Sequence, residues 1–269
     1  MTTAAKTDKP RVAIIYPETD NMAENTLQRW MTEFLWTLVK RFLSQVCDGS
    51  LAHDNTYRSL RANGPYFVSA DQFWFYEKGD ADKRVSPDVY VIAGVDPDKA
   101  VPSWQLWKLK TPPLFALEIV SENVNKDYVV SPSAYEHTKV QELVVFDPEA
   151  PKLIDASRGR SRVRWQIWRR DTKGAWLAPL QSNADRVYCE ALCCWLRLVG
   201  EGDQRKIRIA TGPAGEDIFA TEAEFERAEK DRERAEKDRE RALRIELEEK
   251  LKVLEKSQTK PKSKLRRGS

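Results

Sequence analysis

The chain has 269 residues, of which 41% are hydrophobic and 32% charged, enough apolar material for a core beneath an extensively solvated surface. Six basic residues between Lys256 and Ser269, with no acid among them, exceed the whole formal charge of +3, so the preceding part is mildly acidic and the basic balance is no argument for nucleic acid. No apolar run approaches the ~20 residues of a membrane-spanning helix and no signal peptide precedes residue 30, which makes the cytoplasm the expected location.

Residues 1–20 read as an irregular segment, and an α/β domain is expected over 21–220. It opens on a helix from about Ala23 to Val46, where Leu27, Trp30, Met31, Phe34, Leu35, Leu38 and Phe42 recur at three- and four-residue spacing. Tyr66 to Tyr76 reads as strand material closed by a turn. Three short apolar runs follow at 85–94, 113–121 and 142–148, each bounded by Pro, Gly or Asp, as strands are. Between the last two, Ser131 is suited to cap a helix, Pro132 to its first position, and Ser133 with Glu136 to a capping box. The order strand, strand, helix, strand implies a sheet covered on both faces. The period-two alternation of RVRWQIWRR, followed by a turn at 172–174, predicts a hairpin outside the central core.

Three of the four cysteines (Cys189, Cys193, Cys194; the fourth is Cys47) fall in one apolar stretch without Cys-x-x-Cys spacing or neighbouring histidines, which points to buried thiols rather than zinc. His53 and His137 have no ligand-spaced companions. From Thr221 the composition becomes that of a charged helix, 221–256, with ERAEKDR in tandem and Glu226–Lys230 in the favourable i,i+4 order. Only alanines repeat at seven residues there, with a short seam of Leu247, Leu251 and Leu254, so a solvated helix and a weak coiled coil with a second copy or a partner helix both remain open. Residues 257–269 form a basic tail expected to be disordered.

The chemistry centres on two acids in apolar strands. Glu118 lies in LFALEIV and Asp88 opens the run after Pro87. Burying an ionised carboxylate costs several kcal/mol unless it is paired or binds a metal. On neighbouring strands the two would face each other ~4.5–5.5 Å apart at Cβ, a donor set suited to Mg²⁺. The plainer alternatives pair Glu118 with a basic side chain or leave one of the acids merely ending its strand.

The segments QFWFYEKGDADKRVSPDVYVIAGV, WQLWKLKTPPLFALEIVSENVNKDY and YEHTKVQELVVFDP, with LCCWLRLVGEGDQRKIRIATGPAGEDIFATEAE after them, resemble the Uma-two family of restriction-endonuclease-like proteins in the PD-(D/E)XK nuclease superfamily. The resemblance covers roughly residues 20–225. It implies an α/β, restriction-endonuclease-like fold: a mixed central sheet flanked by helices, here with a C-terminal charged α-helix. It also implies that Asp88, Glu118 and the main-chain carbonyl of Ile119 hold Mg²⁺, or Mn²⁺ in its place. The superfamily's lysine is missing two residues after the glutamate, where Val120 stands. The alternative family position, four residues before Tyr135, holds Ser131. Lys126 is then the catalytic candidate, ahead of Lys139, and Asp127 beside it would order the loop or meet a second ion. The resemblance further suggests an additional acid from the first helix, for which Glu24 is the candidate.

Arg162, Arg164 and Arg169 in the alternating segment could meet DNA phosphates, although a hairpin with solvated arginines explains them equally well. The leading expectation is a Mg²⁺-dependent DNA endonuclease. Two others stand beside it: a nucleic-acid-binding module of the same fold without catalysis, and an interaction protein acting through its C-terminal helix.

Overall fold

The structure is a computed structural model that describes residues 26–51, 55–121, 123–150, 154–155 and 160–258. The segment 1–20, Glu24, His53 and the tail from residue 259 lie outside the described residues. The chain divides into two compact units, Met1–Phe219 and Ala220–Ser269.

The first helix, α1 (Thr26–Asp48), buries Met31, Leu35, Leu38, Val39, Phe42, Leu43 and Val46, each apolar side chain contributing ~1.5–3 kcal/mol when fully covered. Gly49 follows it at φ 82, the left-handed conformation that terminates helices and that side chains resist. Trp30 departs from the expected apolar face: it is 58% exposed, because it projects to one side of the face on which Met31, Leu35, Leu38 and Phe42 are buried.

A short helix, α2 (Arg58–Asn63), leads to six strands that form the main sheet in sequence order: β1 (Tyr66–Ser69), β2 (Val89–Ala93), β3 (Phe115–Ile119), β4 (Glu142–Phe146), β5 (Trp165–Arg169) and β6 (Leu180–Ser182). All neighbours are antiparallel except β3 and β4, which run parallel and are joined through the helix α3 (Ser131–Thr138). Parallel neighbours need such a crossover connection. The sheet is therefore mixed, as a restriction-endonuclease-like fold requires, and strand, strand, helix, strand is the order expected over 85–148.

Both faces are covered. Alternate residues Val89, Val91, Phe115, Leu117, Ile119, Val144 and Phe146 pack with α1, while Tyr90, Ile92, Ala116, Leu143 and Val145 pack with Trp74, Trp104 and Tyr135. The α1 side also receives a second, wholly antiparallel sheet: β7 (Arg186–Cys189), β8 (Cys194–Val199), β9 (Lys206–Thr211) and β10 (Asp217–Ile218). Cys189 and Cys194 are buried there and all four cysteines are free thiols.

Two expectations change. Tyr66–Tyr76 is not one strand: after β1 the chain turns at Asp71 (φ 53), and Trp74–Phe75 joins a separate small sheet with Arg84–Val85 and Trp104–Gln105. The segment around 165–169 does form the expected hairpin, returning through the turn at 171–174 to pair antiparallel with β6, but not outside the core: Trp165 and Ile167 are buried, and β5 extends the main sheet against β4. Its period-two pattern reported a strand correctly but could not report which sheet it joins.

The second unit contains α4 (Glu222–Gln258). Thr221 and Glu224 make a reciprocal capping box, with Glu224 N–H on Thr221 Oγ1 at 3.3 Å and Thr221 N–H on Glu224 Oε2 at 2.8 Å. Exposed i,i+4 pairs such as Glu246–Lys250 (2.6 Å) run along it, and Leu243, Leu247, Leu251 and Leu254 are exposed.

Candidate active site

The β2–β3 register pairs Val89 with Leu117 and Tyr90 with Ala116; one further step sets Asp88 across from Glu118. Period two then places both acids on the face of Tyr90 and Ala116. Asp88 is 5% and Glu118 9% exposed. Asp88 Oδ2 accepts the Ile119 N–H at 2.5 Å, which fixes one carboxylate against the backbone of the next strand. Glu118 Oε1 accepts the Tyr135 hydroxyl at 2.5 Å from α3.

Burial, and then the negative charge of Asp88, hold the Glu118 carboxyl well above its ordinary 4.5; the Tyr135 hydrogen bond and the charge of Lys126 pull the other way. No salt bridge to Glu118 occurs among the described residues, so the plain reading of an ion-paired acid is not the arrangement present. Two carboxylates and the main-chain carbonyl of Ile119 offer oxygen ligands there, the kind a hard divalent cation prefers. Among the described residues no group of three or more His, Cys, Asp or Glu side chains is arranged for a metal. A resident ion would thus rest on two acids completed by neutral oxygens. Two like-charged buried carboxylates on adjacent strands fit such an ion, since it would relieve both burial and repulsion.

The segment after β3 differs from its expected form. Asn123 Oδ1 accepts the Lys126 N–H at 3.2 Å and so starts a helix earlier than residue 131. A π-helical turn, Lys126–Val130, runs into α3 without a break, and Ser131 lies inside it in right-handed helical conformation (φ −60, ψ −51). Ser131 is therefore not a cap, and Ser133 makes no capping box: its hydroxyl donates back to Val129 O at 3.1 Å. The physical reason is Pro132, which lacks an N–H and whose ring crowds the carbonyl four residues earlier; a wider turn accommodates it.

That turn also moves Lys126. In a straight α-helix, Lys126 would point about 140° away from Ser131. In an i→i+5 turn, closed here by the Ser131 N–H on Lys126 O, the two come roughly one turn apart on one side. The Lys126 ammonium is 62% exposed and 4.0 Å from Asp127 Oδ1. Asp127 is buried, and its Oδ2 accepts both the N–H (2.7 Å) and the hydroxyl (2.8 Å) of Ser121, tying the helix start to the end of β3. It orders the loop, the first of its two expected roles. Lys139, at φ 62 on the far end of α3, borders a different cleft.

One site residue escaped sequence reasoning. Gln28, in the first turn of α1, places Nε2 3.4 Å from Asp88 Oδ1 and 3.4 Å from Ile119 O. Its signal was available: it sits four residues after Glu24, on the helix face that the candidate acid was chosen from.

The arginines of the β5 region have internal partners. Arg162 forms a two-pronged pair with Asp147 (2.6 and 2.8 Å), Arg164 reaches the carbonyls of Asn183 and Ala184, and Arg169 bonds Glu142 at 3.2 Å and Tyr188 O at 2.7 Å. A phosphate would have to compete with these acceptors. Arg169 and Glu142 line a cleft of about 680 Å³ at the opposite end of β4 from Glu118. His137 stacks on Tyr76 at 5.6 Å. No helix among the described residues is long and apolar enough to cross a membrane.

A family model, Uma2, described as "Putative restriction endonuclease", matches residues 39–182, just over half of the chain. None of the curated proteins matches the sequence.

Proposed function

Because the chain belongs to the Uma2 family, we propose that it is a Mg²⁺-dependent endonuclease that hydrolyses phosphodiester bonds in DNA. The observation that carries this reading is the convergence of Asp88 and Glu118, both buried, on facing positions of adjacent strands beside the Ile119 carbonyl. Asp88, Glu118 and Ile119 O would hold the ion, which when bound supplies Lewis acidity toward a water and a phosphoryl oxygen.

The protein's own groups do the rest. The Ile119 N–H holds Asp88 in orientation, and the Tyr135 hydroxyl holds Glu118, so neither carboxylate has to be ordered when substrate arrives. Lys126 stands at the solvent side of the same strand end. Its ammonium suits the stabilisation of negative charge on the phosphoryl oxygens and the positioning of the attacking water. Asp127 keeps that lysine's backbone in place through Ser121. Substrate DNA would approach over this end of the sheet, gripped mainly through its phosphates.

The test is the nicking of supercoiled plasmid with Mg²⁺ or Mn²⁺ by wild type, Asp88→Ala and Glu118→Ala. Metal-dependent nicking by wild type, abolished in both variants, is expected. Nicking that survives Asp88→Ala, or a wild type that binds DNA yet never cuts it, would replace this reading with that of a non-catalytic module.

A further inference from the structure

The first turns of α1, which carry Gln28, lie before the stretch matched by the family. Gln28 is half-buried, and a single atom, Nε2, lies 3.4 Å from each of two oxygens, Asp88 Oδ1 and Ile119 O. These are the two oxygens proposed to hold the ion together with Glu118. The placement is not that of a wandering surface side chain. Met31, Leu35 and Leu38 bury the following turns of α1, and Trp36 Nε1 donates to Val68 O of β1 at 3.0 Å, so the helix is fixed to the sheet.

We propose that Gln28 is the third side chain of the cation site, closing it over Asp88 and the Ile119 carbonyl. The inference rests on the nuclease reading above and adds to it a residue from α1. Without a cation the amide donates N–H groups to both oxygens. A half-turn about the last side-chain bond exchanges Nε2 for Oε1, which then faces a cation held between them. The amide suits both states, which a carboxylate would not.

Charge explains why a neutral group belongs here. Asp88 and Glu118 supply two negative charges, the complement of one divalent ion, with the neighbouring Asp127 offset by Lys126 at 4.0 Å. A third carboxylate would tighten the ion but leave the loaded site negative toward an approaching phosphate. Gln28 completes the oxygen set without that repulsion.

The experiment is calorimetric titration of Mn²⁺ into the full chain, for wild type, Asp88→Ala, Gln28→Ala, Gln28→Glu and, four residues earlier in sequence, Glu24→Ala. Metal-free melting curves verify that each variant is folded, and the near-isosteric Gln28→Glu stays informative if Gln28→Ala does not fold. Wild-type binding that requires Asp88 is expected, about 10-fold weaker in Gln28→Ala and tighter in Gln28→Glu. Asp88-dependent binding with both Gln28 variants at the wild-type affinity, or a loss confined to Glu24→Ala, overturns the role of Gln28 and leaves the nuclease reading intact. A wild type that binds no Mn²⁺ overturns both.

Discussion

Replacing Glu118 by glutamine is expected to stabilise the metal-free protein at neutral pH while abolishing its chemistry. The substitution keeps the shape and an acceptor for the Tyr135 hydroxyl, and removes one of two like charges that burial forces together. Carboxylates facing each other on adjacent strands, ~5 Å apart, repel by about 3 kcal/mol at an effective dielectric constant of ~20. Lys126 returns only a fraction of this, being 62% exposed and screened by water. The new amide N–H groups need acceptors, at a cost of up to ~1–3 kcal/mol if they find none, and Asp88 stands opposite as one. A net gain of ~1–3 kcal/mol remains, which raises Tm by ~3–10 °C for a domain of this size. The pH dependence fixes the sign. The Glu118 carboxyl is raised from 4.5 in the folded state, so its contribution is fully present below 4.5 and is lost as pH rises through the folded value. The loss accrues at about 1.4 kcal/mol per pH unit between the two values. Glutamine carries no such dependence. Melting in EDTA from pH 4 to pH 8 should therefore show the two proteins alike at pH 4, with the variant pulling ahead toward pH 7. Equal or lower stability of Glu118→Gln at pH 7, with a gap that does not change with pH, would refute the strained pair of acids.

Two other changes probe neighbouring parts of the site and the core. Lys126→Ala should reduce metal-dependent nicking by about 10²–10³-fold, and adding Ser131→Lys to it should restore most of that loss, because the π turn sets residues 126 and 131 on one side; a double variant no better than Lys126→Ala in a plasmid assay would refute the equivalence. Asp147 is fully buried and accepts Arg162, the Tyr128 hydroxyl and the N–H groups of Glu149 and Ala150, so Asp147→Ala should cost ~3–5 kcal/mol in urea unfolding by leaving a largely covered arginine and these donors without their acceptor. A loss below ~1 kcal/mol would mean that the pair behaves like an exposed salt bridge.

The strands and acids of the site were legible because their signals are local. Glu118 has apolar neighbours on both sides in LFALEIV, and Asp88 marks the mouth of an apolar run, so burial of a carboxylate could be inferred without any knowledge of pairing. Strand adjacency then did what period two requires of it. The misread features depend on partners distant in sequence. Whether β5 belongs to the main sheet is decided by β4, some twenty residues earlier, and its own alternation is the same in either case. Ser131 reads as a cap from its type and from Pro132 after it, but the cap is supplied by Asn123, eight residues before. Trp30 satisfies the helical period and is nonetheless exposed, since nothing in α1 alone says where the sheet stops. Gln28 was passed over for a charged neighbour because an amide carries no burial penalty large enough to stand out.

The irregular helix beside Ser131 has a physical origin in the residue that follows it. Pro132 cannot follow four uninterrupted α-helical residues without a clash, so the chain widens into the π turn Lys126–Val130. The widening changes the phase of everything before it, and the residue brought round is a lysine. Tyr135, beyond the defect, keeps the α-helical phase that lets its hydroxyl meet Glu118. One backbone irregularity thus holds two side chains to the same strand end from positions nine residues apart, which a regular helix would set on different sides. The same register logic governs the acids. A slip of one residue between β2 and β3 would turn Glu118 toward Val89, Leu117 and Phe42 and break its pairing with Asp88. The apolar alternation that builds the two cores therefore also enforces the pairing of the acids, and the site cannot be lost by slippage without both cores being lost with it.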